Sequence, residues 1–443
     1  MSDSLPRRRF VSLVSAITMG SVAGCSSLSS SNQVPSVTDS ETNSPPPQTN
    51  TPKSTSTPEP TNTPKPTSTP EVEMDRAWPM AYSDMGHTNH VTDESGPKSG
   101  FKTQWVHEES SLVTPDNPAI VGNNAYYYAR GGNVSALSVK DGSSLWYRSI
   151  SGAGKGSPAI VGESVIVPTH TGLVSLDTST GNTLWEYDIR PPGASKGDYS
   201  AAGDLTVAQG MVFIPALSPS DQSIAMENKH MHAVDIETGK RRWAYNAGTH
   251  TDMHVPMTDQ VSDGKNLYFE NASNLTAVDI HTGEEQWVNK ELALSPPTLA
   301  NDRIFIPMHI DGKGTGVSAV NTTDGSIFWH KEMPRDMNNL ATDGKTVYAP
   351  AGGSVVALNV KNGKESWSFQ VDGTKTLPPI VADGVVYVLA GGLSTTWRIH
   401  ALDAGSGEQV ASTKFDHHQP RAAAVVDGYL YVPTASGSIV VLS

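Results

Sequence analysis

Ala233-Val-Asp235-Ile-Glu-Thr-Gly239-Lys-Arg-Arg-Trp243 is followed, in the same register, by Ala277-Val-Asp279-Ile-His-Thr-Gly283-Glu-Glu-Gln-Trp287. Copies continue on both sides. Ala136 leads to Asp141-Gly142 and Trp146, Leu176-Asp177 to Gly181 and Trp185, Ala319-Val-Asn321 to Gly325 and Trp329, and Ala357-Leu-Asn359 to Gly363 and Trp367. Ala401-Leu-Asp403 to Gly407 is a further copy with Ala411 at the Trp position. Seven of the nine tryptophans (Trp105, Trp146, Trp185, Trp243, Trp287, Trp329 and Trp367) hold the register. Such self-similarity at a fixed period decides the architecture before any local reading does.

A second periodic signal runs through the same region. Each registered Trp is followed by a short apolar stretch, a tight turn and a β-branched or aromatic stretch. The turns are Gly122-Asn123, Gly162-Glu163, Gln209-Gly210, Asp263-Gly264, Asn301-Asp302, Asp343-Gly344, Asp383-Gly384 and Asp427-Gly428. Asp-Gly between alternating apolar runs is a strong hairpin signal, because Gly accepts the positive φ of the turn. Each unit therefore reads as four antiparallel strands. The Asp or Asn accepts hydrogen bonds from backbone N–H groups of the next turn. The Trp supplies a large flat area to bury between neighbouring sheets. One such sheet cannot bury its own faces, so the units stack. Radial stacking closes them into an all-β, eight-bladed propeller spanning 75–443. The last unit stops at Ser443 before a Trp strand of its own, and Phe101-Lys-Thr-Gln-Trp105 has no Ala-x-Asp before it. The N-terminal strand is thus expected to complete the last blade.

The Ala-x-Asp-x-x-Thr-Gly-x-x-x-Trp pattern resembles the tryptophan-docking repeat of pyrroloquinoline-quinone (PQQ)-dependent dehydrogenases. It is also similar to that of the propeller lipoprotein of the outer-membrane β-barrel assembly machine. Trp78-Pro-Met-Ala-Tyr-Ser-Asp84-Met-Gly-His-Thr-Asn-His90 resembles the lead-in of exported archaeal PQQ-repeat proteins. The resemblance covers nearly all of 101–443. It implies the fold, and with it two functions from different classes: a non-catalytic binding or scaffold head, or a quinoprotein oxidoreductase acting on sugars or alcohols. The dehydrogenases of this kind hold PQQ in the central funnel with Ca²⁺, a catalytic Asp and a pair of adjacent cysteines. Here the one cysteine is Cys25, and no Ca²⁺ ligand set or catalytic base is recognisable by motif. The expectation is a binding head without cofactor, PQQ with Ca²⁺ being the alternative.

The first 24 residues read as an export signal. Arg7, Arg8 and Phe10 match a twin-arginine pattern ahead of an apolar run from Val11 to Ala23, too short to span a bilayer. Val22-Ala-Gly-Cys25 resembles a lipobox, which implies cleavage before Cys25 and acylation of its thiol. Residues 25–74 then form a stalk, with ten prolines and no aromatic residue after Cys25. Such a segment buries too little apolar surface to offset its ordering entropy. The 49 residues after Cys25 reach on the order of 150 Å if extended. The expected arrangement is a monomeric head tethered on the outer face of the cell membrane, with a protein or cell-envelope partner. A net charge of −14 argues against a nucleic-acid partner.

Other constellations carry less. Gly152-Ala-Gly-Lys155-Gly-Ser157 lacks the spacing and the Ser/Thr of a phosphate loop and reads as a connection between strands. The histidine pairs 230/232, 250/254, 417/418 and 87/90 read as sheet or loop histidines rather than metal ligands. Asn271-Ala-Ser273 and Asn274-Leu-Thr276 fit the glycosylation pattern. Asp116, Asp198, Asp221 and Asp252 read as a solvated acidic surface. Trp185 to Trp243 spans 58 residues against about 40 elsewhere. The excess lies in 190–203 and 216–230, read as loops on a rigid scaffold and hence as binding candidates. Trp397, with Arg398 beside it, lies outside the register and is the candidate exposed anchor.

Overall fold

The computed structural model describes residues 77–443, except 93–94, 109–116, 130, 153, 191–199, 202, 221–222, 251–259, 272, 335–336, 338 and 393–395. Cys25, Arg7, Arg8, Phe10 and the stalk lie outside the described residues, as do Asp116, Asp198, Asp221, Asp252 and His254.

The described residues form eight antiparallel sheets in a ring. Going outward from the axis, blade 1 contains 119–121, 124–129, 133–138 and 144–149, and blade 2 contains 159–161, 164–169, 172–177 and 183–188. Blades 3 to 7 repeat this order, with innermost strands at 206–208, 261–262, 298–300, 341–342 and 380–382. Blade 8 takes three strands from 424–442 and its outermost from Thr103–His107. There Trp105 pairs with Val441 and His107 with Ile439, so the ring closes by joining the two ends of the domain.

The repeated residues form the joints between blades. Each registered indole donates its Nε1–H to a carbonyl in the blade that follows. Trp146 bonds to Thr178 O at 2.8 Å, Trp243 to Ile280 O at 2.9 Å and Trp367 to Ala404 O at 2.9 Å. Trp105, the last indole around the ring, reaches Val139 O of blade 1 at 3.0 Å. The indole lies flat on the turn glycine of that next blade. In the joint between blades 3 and 4, Gly283 has a φ of +73°, and a Cβ there would fall 2.6 Å from the Trp243 ring. The Asp holds the turn in shape. Asp279 Oδ1 accepts from the N–H groups of His281 and Thr282 at 2.9 Å each. Asp177 Oδ1 accepts from Ser179 and Thr180 N–H at 3.1 and 2.8 Å, and Asp235 Oδ1 from Thr238 N–H at 2.8 Å. Gly181 and Gly239 meet Trp146 and Trp185 in the same way, and Trp287 and Trp329 repeat the bond at 2.9 Å.

Ala411 now has a physical reason. A Trp in blade 7 would dock on the turn between the third and fourth strands of blade 8. Those two strands come from opposite ends of the domain, 439–442 and 103–107, so no such turn joins them and there is no glycine to receive an indole.

Two expectations are corrected. The stretch 216–230 is not a loop: strands Met211–Ser220, Ser223–Asp235 and Arg241–His250 form one long ladder, paired as far out as Glu227 with His250. Its outer part is largely polar, with Ser218, Pro219, Ser220, Glu227, Asn228 and Lys229, so strand propensity gave no signal there. Trp397 is not an exposed anchor. It is 6% exposed and belongs to the core shared with Phe415 and Tyr431, because Gly391 opposite has no Cβ to keep the indole out. Arg398 remains at the surface, 3.6 Å from Asp372.

Candidate binding site at the propeller axis

The innermost strands leave their axial edges unpaired, and an unpaired buried backbone group costs about as much as a lost hydrogen bond. The lead-in segment supplies the partners. Ala77 and Trp78 pair with Val121 and Ile120 of blade 1. Pro79 O accepts from Ile160 N–H of blade 2 at 2.7 Å. Met85, Gly86, Thr88 and Asn89 carbonyls accept from Ser262, Leu299, Thr342 and Val381, one in each of blades 4 to 7, at 2.8 to 2.9 Å. His90 and Val91 continue as a parallel strand along Val381 and Ala382, and Ser95 O accepts from Gly428 N–H of blade 8 at 2.6 Å. Blade 3 is met by a side chain, His87 Nε2 to Thr206 Oγ1 at 3.0 Å. Residues 77–92, with Ser95 beyond them, therefore wind around the axis and touch every blade.

The path is tight. Asp84 pins its turn, accepting from Gly86 N–H and Thr88 N–H at 3.0 Å each and from Thr88 Oγ1 at 2.5 Å. Burial nonetheless pushes its carboxyl above the ordinary value. A Cβ at Gly86 would meet Leu299 O at 2.6 Å. Tyr82, Ser83, His87 and Asn89 all have positive φ, between 50° and 79°, a region that costs non-glycine residues free energy unless the surroundings enforce it. Asn89 N–H to Tyr82 O at 2.9 Å closes this loop on itself.

His87 is 2% exposed. Thr206 Oγ1 donates to Gln260 O, so it accepts from His87 Nε2–H, and the bare Nδ1 has no partner among the described residues. Burial lowers the imidazole pKa to about 3. His232, 4% exposed and bonded to Tyr187 Oη at 2.7 Å, is likewise held at about 3, first by burial and then by His230 and Arg241. Both are neutral when folded and titrate near 6.5 when unfolded. The unfolded chain thus binds more protons below pH 6.5, and stability falls as pH drops from there toward 3. Between pH 7 and 5, above the carboxylate range, each histidine removes about 2 kcal/mol. Urea midpoints measured at both pH values are expected to show the loss, and His87→Gln to remove about half of it. Equal midpoints at pH 7 and 5 would refute the assignment.

Above the wound segment lies a cavity of about 270 Å³, at the mouth where the innermost strands of blades 1, 6, 7 and 8 begin. Tyr82, Asn89, Asn117, Asn339, Thr376 and Arg421 give it its polar character. Among the described residues Arg421 is its one charged lining residue, and no carboxylate lines it. Nothing in the lead-in sequence marked this role except its cluster of Asp, Gly and Asn around a buried Trp. Trp397 and Arg398 lie elsewhere, as does the long ladder of blade 3.

The described residues of the lining do not fit PQQ with Ca²⁺. Calcium takes six to eight oxygen ligands with carboxylates among them, and PQQ is itself a tricarboxylate facing a single guanidinium here. Among the described residues no group of three or more His, Cys, Asp or Glu is placed to share a metal. Of the histidine pairs, His230 and His232 stand 6.1 Å apart between ring centres, and His417 packs on Phe415. The side chain of His250 lies outside the described residues. Asn271 is 7% exposed and closed to a glycosyl donor. Gly154 of the supposed phosphate loop instead donates its N–H to Tyr128 Oη at 2.7 Å.

A family profile described as "Outer membrane protein assembly factor BamB" matches residues 93–167, 154–302, 290–391 and 313–443. The protein of that name from Yersinia pestis is 26% identical over 322 residues, covering 66% of this chain and 76% of its own. The quinohemoprotein alcohol dehydrogenase of Comamonas testosteroni is 27% identical over 301 residues, 61% of this chain but 42% of its own length. By structure, BamB from Moraxella catarrhalis superposes with a TM-score of 0.59 at 17% identity, covering 77% of this chain and 97% of its own. The Comamonas dehydrogenase superposes at 0.65 and 15% identity, covering 83% and 80%. These superpositions establish a shared fold.

Proposed function

Since the chain belongs to the PQQ-repeat propeller family described as outer membrane protein assembly factor BamB, we infer that it is a cell-envelope propeller that binds protein partners and catalyses no reaction. The observation that carries this reading is the filled axis. Residues 77–92 and Ser95 bond to the innermost part of every blade, which speaks against a cofactor held on the axis. Beside them lies a small cavity in which, among the described residues, one arginine and no carboxylate take part. The relatives named as assembly factors, matched over most of their own length, support a protein partner. The lipobox resemblance at Cys25 and the twin-arginine pattern at Arg7 and Arg8 support export and a lipid tether on the outer face of the membrane. Fold alone carries no activity, so the dehydrogenase likeness adds none.

The test is a titration of the full-length protein with PQQ and Ca²⁺, following absorbance and melting temperature, together with crosslinking in intact cells. No stoichiometric spectral change and a specific crosslinked protein partner are expected. Stoichiometric PQQ binding with a raised melting temperature would overturn the reading in favour of a quinoprotein oxidoreductase.

A further inference from the structure

We propose that the cavity at the mouth of the axial channel is a binding site for a single carboxylate, free or at the C-terminus of a peptide. Its lining is built of donors. The Arg421 guanidinium has no ion-pair or hydrogen-bond partner among the described residues, although a planar fork of N–H groups is the natural mate of a carboxylate. Asn89, one of the lining residues, is 3% exposed, and its Nδ2 has no hydrogen-bond partner among the described residues. A buried amide donor left unmade costs free energy. Asn339 has its Oδ1 taken by Ser295 Oγ at 3.2 Å, which turns the amide so that its Nδ2 is the free end. Asn117, whose backbone N–H bonds to Ser157 Oγ at 3.1 Å, adds a third carboxamide. Among the described residues no carboxylate lines the cavity, even though the chain as a whole is acidic.

The backbone gives an independent sign. Tyr82 and Asn89, the two lead-in residues lining the cavity, hold φ values of 59° and 51°. A bulky aromatic residue in that region is an outlier, and such strain persists where the surroundings enforce it, often at ligand sites. The volume, about 270 Å³, is at the lower end for small-molecule pockets, in keeping with a small acid or a chain terminus.

The proposal does not depend on the protein-partner reading, and its test separates them. The full-length protein is titrated calorimetrically with acetate and succinate, and with a short apolar peptide carrying either a free or an amidated C-terminus. Saturable binding of acids and of the free peptide, absent for the amide, is expected. Binding by the free peptide alone would assign the carboxylate to a chain terminus, and by acids alone to a metabolite. Arg421→Gln and Asn89→Gly are expected to weaken binding about tenfold each, the worth of one charge-assisted hydrogen bond, and Arg421→Lys less. Arg421 is exposed, and glycine keeps the left-handed backbone at 89, so both variants retain the fold. No saturable binding of acids or free peptide at tens of millimolar, or affinities unmoved in both variants, would overturn the proposal even if a protein partner were found elsewhere on the propeller.

Discussion

Replacing Trp78 by Ala is expected to lower the unfolding free energy by about 3–5 kcal/mol, among the largest effects of any single substitution in this chain. Trp78 is 1% exposed and belongs to the core shared by blades 1, 7 and 8. Its backbone is laddered to Ile120, so the strand cannot slide to fill the void left by a missing indole. The same substitution loosens the first contact of the segment that occupies the axis, and the carbonyls of Pro79 to Asn89 follow it. Urea denaturation monitored by circular dichroism measures the change. A loss under about 1 kcal/mol would mean that the segment is a passive passenger in the channel.

The second large effect lies in the ring of docked indoles. Trp243→Ala is expected to cost about 3–4 kcal/mol, from a side chain 9% exposed that also bonds to Ile280 O. Gly283→Ala alone is expected to cost about 2–3 kcal/mol, because its Cβ would sit 2.6 Å from the same ring at a φ of +73°. The two losses should not add. With the indole gone the new methyl group loses its three nearest neighbours, so mainly the backbone part of the glycine penalty survives, and the double variant is expected to fall short of the sum by about 1–2 kcal/mol. Strict additivity would show that the glycine serves the turn and not the joint.

Much of this architecture could be read before any coordinates. Asp-x-x-Thr-Gly-x-x-x-Trp is a repeated physical device, a turn held by a carboxylate and capped by an indole, and repetition raised it above the noise of single residues. Ring closure followed from the same register, since Trp105 had no turn before it. What escaped the sequence occurs once. The wound segment has neither period 2 nor period 3.6, and its shape depends on positive φ at Tyr82, Ser83, His87 and Asn89, residues that do not advertise it. The role of Trp397 turned on the absence of a Cβ at Gly391, across the sheet and not adjacent in sequence. The ladder of blade 3 is held by backbone pairing, to which its polar side chains give no clue.

The winding of residues 77–95 through the ring has a mechanical consequence. In a propeller whose first strand lay on an outer edge, tension on the N-terminal side would peel that strand away one hydrogen bond at a time. Here the chain enters at the axis and grips the blades in succession before it reaches the seam at Thr103–His107. A pull applied upstream of Ala77 is therefore met first by bonds at the hub, distributed around the wheel, and the seam that closes the rim is loaded only after the hub has given way.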